Sequence, residues 1–399
     1  MSDIQSSPAK AFDGFISQKV NSISPLGVRK FFELLSSTEG VVSLGIGEPD
    51  FVTPWHIREA ATRSLQQGYT MYTSNYGLIE LREELAKYLE LHYGVSYDPE
   101  GEILITVGTS EGLDLTLRAI LNPGDEVIIP DPCYVAYSPC IILAGGVPVM
   151  VPTSRENNFV IKASDIEPCI TNKTKIILIG YPSNPTGAVM SRGELNEIAE
   201  LAQQYDLLVI SDEIYARLVY GVEHTCFASL PGMKEQTILL GGFSKTYAMT
   251  GWRIGYAVAN SQFIEAMTRI HQYTMLCAPI MAQAAAIEAL KSGESDIEMM
   301  VEEYDKRRRV IVKGLNEIGL PCFEPKGAFY AFPSIENTGM TSEEFSEKLL
   351  MEEKVAVIPG STFGQCGEGF IRCSYATPLT NIEEALKRVG RFVNRYRKS

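Results

Sequence analysis

Lys245 stands in Gly241-Gly242-Phe243-Ser244-Lys245-Thr246, and Gly251-Trp252-Arg253 follows closely behind. An amine beside a hydroxyl and a guanidinium fork is a nucleophile next to an anion site. Earlier in the chain, Gly108-Thr109-Ser110-Glu111-Gly112 puts small residues where a helix opens, and amides there can hold a phosphate. Ser211-Asp212-Glu213-Ile214-Tyr215 supplies a carboxylate and a phenol, and Ser183-Asn184-Pro185-Thr186-Gly187 supplies an amide. Arg372 interrupts the apolar run Phe370-Ile371-Arg372-Cys373, so it needs a buried anion as partner. Together these groups answer a phosphate, a ring nitrogen, a phenolic oxygen and an aldehyde. Those are the polar features of pyridoxal 5′-phosphate (PLP), which a protein uses as an electron sink through a lysine Schiff base and an acidic partner for the ring nitrogen.

Groups this far apart in sequence need a frame that gathers them. Between about Glu102 and Ala259, short apolar runs alternate with helical patterns such as Arg192–Tyr205. The runs are Ile103–Val107, Val127–Pro130, Lys175–Ile179, Leu207–Ile210, Thr237–Leu240 and Ile254–Val258. They are apolar on consecutive residues and rich in Ile and Val, as strands buried on both faces are. The alternation predicts an α/β fold with a mostly parallel sheet covered by helices. Ligands then bind beyond the carboxyl ends of the strands, where the polar segments fall. After Pro279 the texture changes to a long helical pattern through Glu302 and Arg309. Strand-like Ala328–Phe332, a helix from Ser342, strands Val355–Ile358 and Phe370–Ser374, and a last helix to Arg397 follow. This predicts a large α/β domain over 43–285 and a smaller α+β domain from 286–399, with 1–42 packed against it.

The segments Tyr181-Pro182-Ser183-Asn184-Pro185-Thr186-Gly187, Ser211–Tyr215, Gly242–Arg253 and Phe370–Ala376, with Leu44–Phe51 around Gly47, resemble the class I aminotransferases of the fold-type I PLP family. The resemblance runs from about Ser22 to the end of the chain and is strongest to the aromatic and broad-specificity subgroup. It implies that Lys245 carries PLP as a Schiff base and, once freed, shuttles the substrate Cα proton. It implies that Asp212 pairs with the ring nitrogen and that Asn184 and Tyr215 hold the phenolic oxygen. Tyr134 matches the ring that stacks on the cofactor. Gly108, Thr109, Ser110, Ser244 and Arg253 match the phosphate site, with Thr109 and Ser110 acting largely through backbone amides. Arg372, helped by Asn184 and the Gly47 backbone, matches the group that takes the substrate α-carboxylate. Tyr72 matches a tyrosine that reaches the neighbouring subunit's phosphate, which implies a homodimer with a shared site. In aspartate-specialised relatives the position of Ser110 is a lysine. The neutral Ser110, with Phe31 and Phe32 in a segment that folds over the substrate, implies an aromatic or broad donor preference, with 2-oxoglutarate as acceptor.

The rest of the sequence sets bounds. A chain of 399 residues exceeds one ordinary core. Its net charge of −14 argues against a nucleic-acid or anionic-membrane partner. The eight cysteines form no C-x-x-C pair and the four histidines no H-E-x-x-H, so the reading is reduced, mostly buried packing thiols, no metal and a cytoplasmic chain. The opening MSDIQSSPAK has no apolar core of a signal peptide. Glu213 reads as structural, Arg307-Arg308-Arg309 as a solvated helix face and Trp252 as a wall of the site. Two other functions compete. A PLP β-lyase or decarboxylase would share the cofactor residues. A PLP-binding regulator would need a DNA-binding domain ahead of Val42, where no basic face is present. A nicotinamide dehydrogenase fails because Gly108 does not open a G-x-G-x-x-G.

Overall fold

The computed structural model describes residues 15–23 and 40–397. Its centre is a seven-stranded sheet of β2 (Ile103–Thr106), β3 (Glu126–Asp131), β4 (Val147–Pro152), β5 (Thr174–Ile179), β6 (Leu208–Asp212), β7 (Thr237–Gly242) and β8 (Gly255–Val258) in the order β2-β8-β7-β6-β5-β3-β4. Strands β3 to β7 pair in parallel, and β8 runs antiparallel to both its neighbours. Consecutive apolar residues fit because both faces are covered. Ile103 and Ile105 pack with Ile57, Leu81 and Leu85 on one side, while Leu104 packs with Leu113, Leu117 and Met267 on the other. The first face belongs to α1 (Trp55–Gln66), α2 (Ile79–Tyr93) and α7 (Ile280–Ser292), and the second to α3 (Thr109–Ile120), α4 (Tyr137–Ala144) and α6 (Ser261–Thr274). Helix α5 (Arg192–Gln204) carries the chain from β5 to β6, and Ser191 and Glu194 close a capping box at its start.

Gly293 separates α7 from α8 (Glu294–Glu317), so the helical pattern after Pro279 is two helices. A Cβ at Gly293 would lie 2.6 Å from the Ala289 carbonyl and 2.7 Å from the Tyr247 ring. Beyond it, β9 (Tyr330–Ala331), β12 (Ile371–Ser374) and β11 (Ile358–Pro359) form a small antiparallel sheet. β1 (Val42–Ser43) pairs in parallel with β10 (Val355–Ala356), and α8, α9 (Ser342–Glu353) and α10 (Leu379–Tyr396) cover this layer.

Several expectations need correction. Strand β4 was not expected; it lies at the sheet edge, only partly buried, with Pro148 and Pro152 in it. Arg307 and Arg308 are buried, not solvated. Arg307 holds both oxygens of Asp50 at 2.8 and 2.9 Å, and Arg308 grips Asp305 and Glu324, each at 2.6 Å; Arg309 alone is exposed. Cys133, Cys226 and Cys373 are buried, while the other five thiols are half-buried. The short helix Gln18–Asn21 rests against α4, where Lys19 reaches the Leu143 carbonyl. Phe31 and Phe32 lie outside the described residues. Among the described residues no helix is long and apolar enough to cross a membrane.

Candidate active site

A cavity of about 520 Å³ opens beyond the carboxyl ends of β5, β6 and β7. Gly47, Thr109, Ser110, Tyr134, Asn184, Asp212, Tyr215, Ser244, Lys245, Arg253 and Arg372 all line it. Gly108 sits just behind the wall, and the exposed Tyr72 does not face the cavity of its own chain.

Lys245 follows β7 directly. Its ammonium donates to the Gly47 carbonyl at 2.7 Å. Burial pushes its pKa down to about 8, and Arg372 and Arg253 push the same way while Glu48 opposes them. The amine is thus far easier to deprotonate than a surface lysine.

Asp212 ends β6. It accepts from the Tyr137 hydroxyl at 2.8 Å and from the Ile214 amide at 3.3 Å. Both partners are neutral. Burial raises its pKa to about 6, a shift these two hydrogen bonds only partly offset. A carboxylate placed in this way lacks a cation, and a protonated ring nitrogen would supply one. Tyr137 was not singled out in the sequence, although three residues after Tyr134 puts it within a helical turn of that ring. The glycine at 180 makes room for it, since a Cβ there would lie 2.1 Å from the Tyr137 hydroxyl.

The anion end is built where β2 turns into α3. Gly108 has φ 78°, a left-handed conformation that suits glycine, and a Cβ on it would meet Arg253 Nη2 at 2.6 Å. The Arg253 guanidinium therefore packs against the start of α3, whose first-turn amides have no partner within the helix. Thr109 spends its hydroxyl on the Gly241 carbonyl at 2.8 Å, which leaves its backbone amide as the group it can offer. Arg253 itself has φ 52°, uncommon for a side-chain-bearing residue, and donates to the Thr250 carbonyl at 2.9 Å.

Arg372, on β12, is 8% exposed and lies over the Tyr330 ring at 4.5 Å and the Phe363 ring at 5.0 Å. It donates to Asn184 Oδ1 at 2.9 Å and the Gly45 carbonyl at 2.8 Å, and its Nε is buried without a partner. A buried guanidinium with neutral partners and an orphaned N–H is a site for an anion. Tyr215 and Tyr330 share a hydrogen bond of 2.8 Å deep in the same wall. Tyr330, like Glu48 and Thr250, also lines the cavity and was not expected; inside the apolar stretch 328–332 nothing distinguishes it from a core residue. Trp252 is not a wall: its indole N–H donates to Thr53 at 3.0 Å in a separate depression.

Amine, uncompensated carboxylate, helix-start amides with an arginine, and a second arginine with a free donor match the polar groups of PLP and an amino acid. A model of the family described as aminotransferase class I and II matches residues 39–389. The chain is 56% identical over 381 residues to the putative aminotransferase YugH of Bacillus subtilis, spanning 96% of this chain and 99% of that protein. It is 48% identical to an aspartate aminotransferase of Pyrococcus abyssi, over 94% of this chain and 97% of the relative. Among solved structures it is similar to an aromatic aminotransferase from Pyrococcus horikoshii, with a TM-score of 0.88 and 46% identity over 91% of this chain and 98% of that one.

Proposed function

The chain belongs to the class I and II aminotransferases, and from that premise we propose that its cavity holds PLP on Lys245 and serves donors with aromatic or other neutral side chains, with 2-oxoglutarate as acceptor. The observation that carries this reading is the single cavity shared by Lys245, Asp212, Arg253 and Arg372. When bound, the cofactor supplies an electrophilic carbonyl and a ring that takes up charge from the substrate Cα. The residues supply everything else. Amides of Thr109 and Ser110, the Ser244 hydroxyl and Arg253 hold the phosphate. Asp212, fixed by Tyr137, keeps the ring nitrogen protonated. Asn184 and Tyr215 hold the phenolic oxygen and Tyr134 covers the ring. Arg372 grips the substrate α-carboxylate, which orients the Cα–H toward Lys245. Once the substrate amine has displaced it, the freed Lys245 amine would be the group placed to take the Cα proton.

Support for a neutral side chain comes from charge. The cations lining the cavity among the described residues are Lys245, Arg253 and Arg372, each with a role above, while position 110 is serine and Glu48 adds a negative charge. Burying an apolar side chain there is worth roughly 1.5–3 kcal/mol. The test is a donor panel of phenylalanine, tyrosine, alanine and aspartate against 2-oxoglutarate and pyruvate. Phenylalanine or tyrosine should lead in kcat/KM, and aspartate leading by about tenfold, ~1.4 kcal/mol, would overturn the preference. Arg372→Ala should leave the bound cofactor's spectrum intact. It should raise KM for every amino acid at least tens-fold, because truncating a buried charge pair costs roughly 2–5 kcal/mol. An unchanged KM would remove Arg372 from the carboxylate site.

The active unit is a homodimer on this reading. Val52, Trp55, Met71, Tyr72, Tyr273 and Met275 are large and exposed. Asn75 ties the two stretches that carry four of them by donating to the Leu276 carbonyl at 2.7 Å. An apolar surface of this kind suits a second subunit, which would receive Tyr72 at its phosphate site. Light scattering should give twice the chain mass. Mixing Lys245→Ala with Tyr72→Ala subunits should yield more activity than either parent, since one site of the mixed dimer is then intact. A monomer, or no gain on mixing, would refute the shared site.

A further inference from the structure

We propose that Glu111 and His271 form a buried brace that holds the Val107–Ser110 turn in the shape that receives the cofactor's phosphate. The proposal rests on the phosphate assignment above and adds two positioning residues that do not touch the phosphate themselves. Glu111 is in the first turn of α3, and its side chain folds back so that Oε2 accepts the Val107 amide in a short hydrogen bond. Its other oxygen, Oε1, meets His271 Nδ1 at 2.7 Å. The imidazole is fully buried and the carboxylate nearly so, at 0% and 8% side-chain exposure. A carboxylate at this distance only accepts, so Nδ1 carries the hydrogen. The remaining nitrogen, Nε2, is buried with no partner. The fold therefore bears an unsatisfied polar atom to keep this pair, which packing alone would not require.

The turn is boxed from two sides. Toward β8, a Cβ on Gly255 would lie 2.5 Å from the Thr109 amide nitrogen, so the strand backbone presses directly on the cradle. Toward α6, the Glu111–His271 pair anchors the turn. Within the turn, Thr106 Oγ1 donates to the Gly108 carbonyl at 2.9 Å, and the Glu111 amide donates to the same carbonyl at 3.1 Å. That leaves the Val107 amide to Glu111. Without its grip the Thr106–Val107 peptide can rotate, and the amides that follow it lose their common direction. A buried carboxylate close to a phosphate site opposes the anion by charge, so its presence is explained by what it holds.

The experiment measures equilibrium binding of PLP and of pyridoxal, which lacks the phosphate, to the full-length chain freed of cofactor. Glu111→Ala should weaken PLP by about tenfold or more, the cost of an unpaired buried amide, and leave pyridoxal within about twofold. Glu111→Gln keeps an acceptor for Val107, and His271→Asn keeps a donor in place of Nδ1–H, so both should retain most of the PLP affinity. His271→Phe fills the space without a donor and should lose it. Equal losses for both ligands, or none, would overturn the brace. If Glu111→Ala does not fold, the contrast between Asn and Phe at 271 decides by the same ratio. Arg253→Ala is the control for the underlying assignment. If it too leaves the PLP-to-pyridoxal ratio unchanged, the phosphate site is misplaced. If Arg253→Ala lowers the ratio and the Glu111 and His271 variants do not, the brace fails alone.

Discussion

Lys245→Ala is expected to lose amino-group transfer by about a thousandfold or more, since a positioned general acid–base alone contributes roughly 10²–10⁴. The effect should be confined to chemistry. Phosphate and ring contacts remain, so the variant should still bind PLP, but borohydride should no longer fix the cofactor to the chain. In the unmutated protein the same treatment should label the peptide that contains Lys245. The pH dependence follows from the lowered pKa. The neutral amine is the nucleophile, and it predominates above about 8 instead of above the ordinary 10.5. Cofactor capture by the cofactor-free chain should therefore rise with pH and level off just above 8. Label on a different lysine, or a variant with normal turnover, would refute the assignment.

Asp212→Asn is expected to come next in severity. The substitution keeps the shape and a partner for Tyr137 but removes the only charge proposed for the ring nitrogen. Breaking a buried pair costs roughly 3–5 kcal/mol. At ~1.4 kcal/mol per decade, the half-reaction with an amino acid should slow by about two to three and a half orders of magnitude. The carboxyl, raised to about 6 by burial, also predicts a pH effect on binding. Above that value it is ionised and can pair with a ring cation; below it the neutral acid cannot. PLP affinity of the cofactor-free chain should fall as pH drops through 6, and Asp212→Asn should abolish that fall. A variant with the same rate and the same pH profile would leave Asp212 a structural residue.

Much of this was legible in the sequence because each signal had one physical cause. Strands β2, β3 and β5 to β8 showed as apolar runs since both of their faces are covered by helices. The polar residues after them stood out because several such segments fall in order at strand ends, although any one of them alone could be a helix cap or a salt bridge. β4 was missed for the converse reason: an edge strand is half-solvated, and its prolines read as loop. Tyr137 and Tyr330 were hidden because a tyrosine in an apolar stretch packs equally well as core, and only the hydroxyl's partner, Asp212 in one case and Tyr215 in the other, separates the two roles. The arginines at 307 and 308 were misread because a charge run on a helix has no visible partner in one dimension. Asp50 lies 257 positions away from Arg307. Trp252 was placed by its neighbours in the motif, but its indole N–H goes to Thr53 in a separate depression.

The reversed direction of β8 sets a gauge. The chain leaves the sheet at the end of β7 and re-enters at the start of β8, along the same edge, because the two strands are antiparallel. Lys245 rides the outgoing limb and Arg253 the returning one, eight positions apart in sequence (253 minus 245). Ala248 and Arg253, both at positive φ, shape the return. On the roles proposed for Lys245 and Arg253, the separation between the group for the aldehyde and the group for the phosphate is thus stored as a count of residues. Neighbouring side chains can absorb a substitution in such a return. They cannot absorb an inserted or deleted residue, because that alters the ruler against which the length of the cofactor is measured.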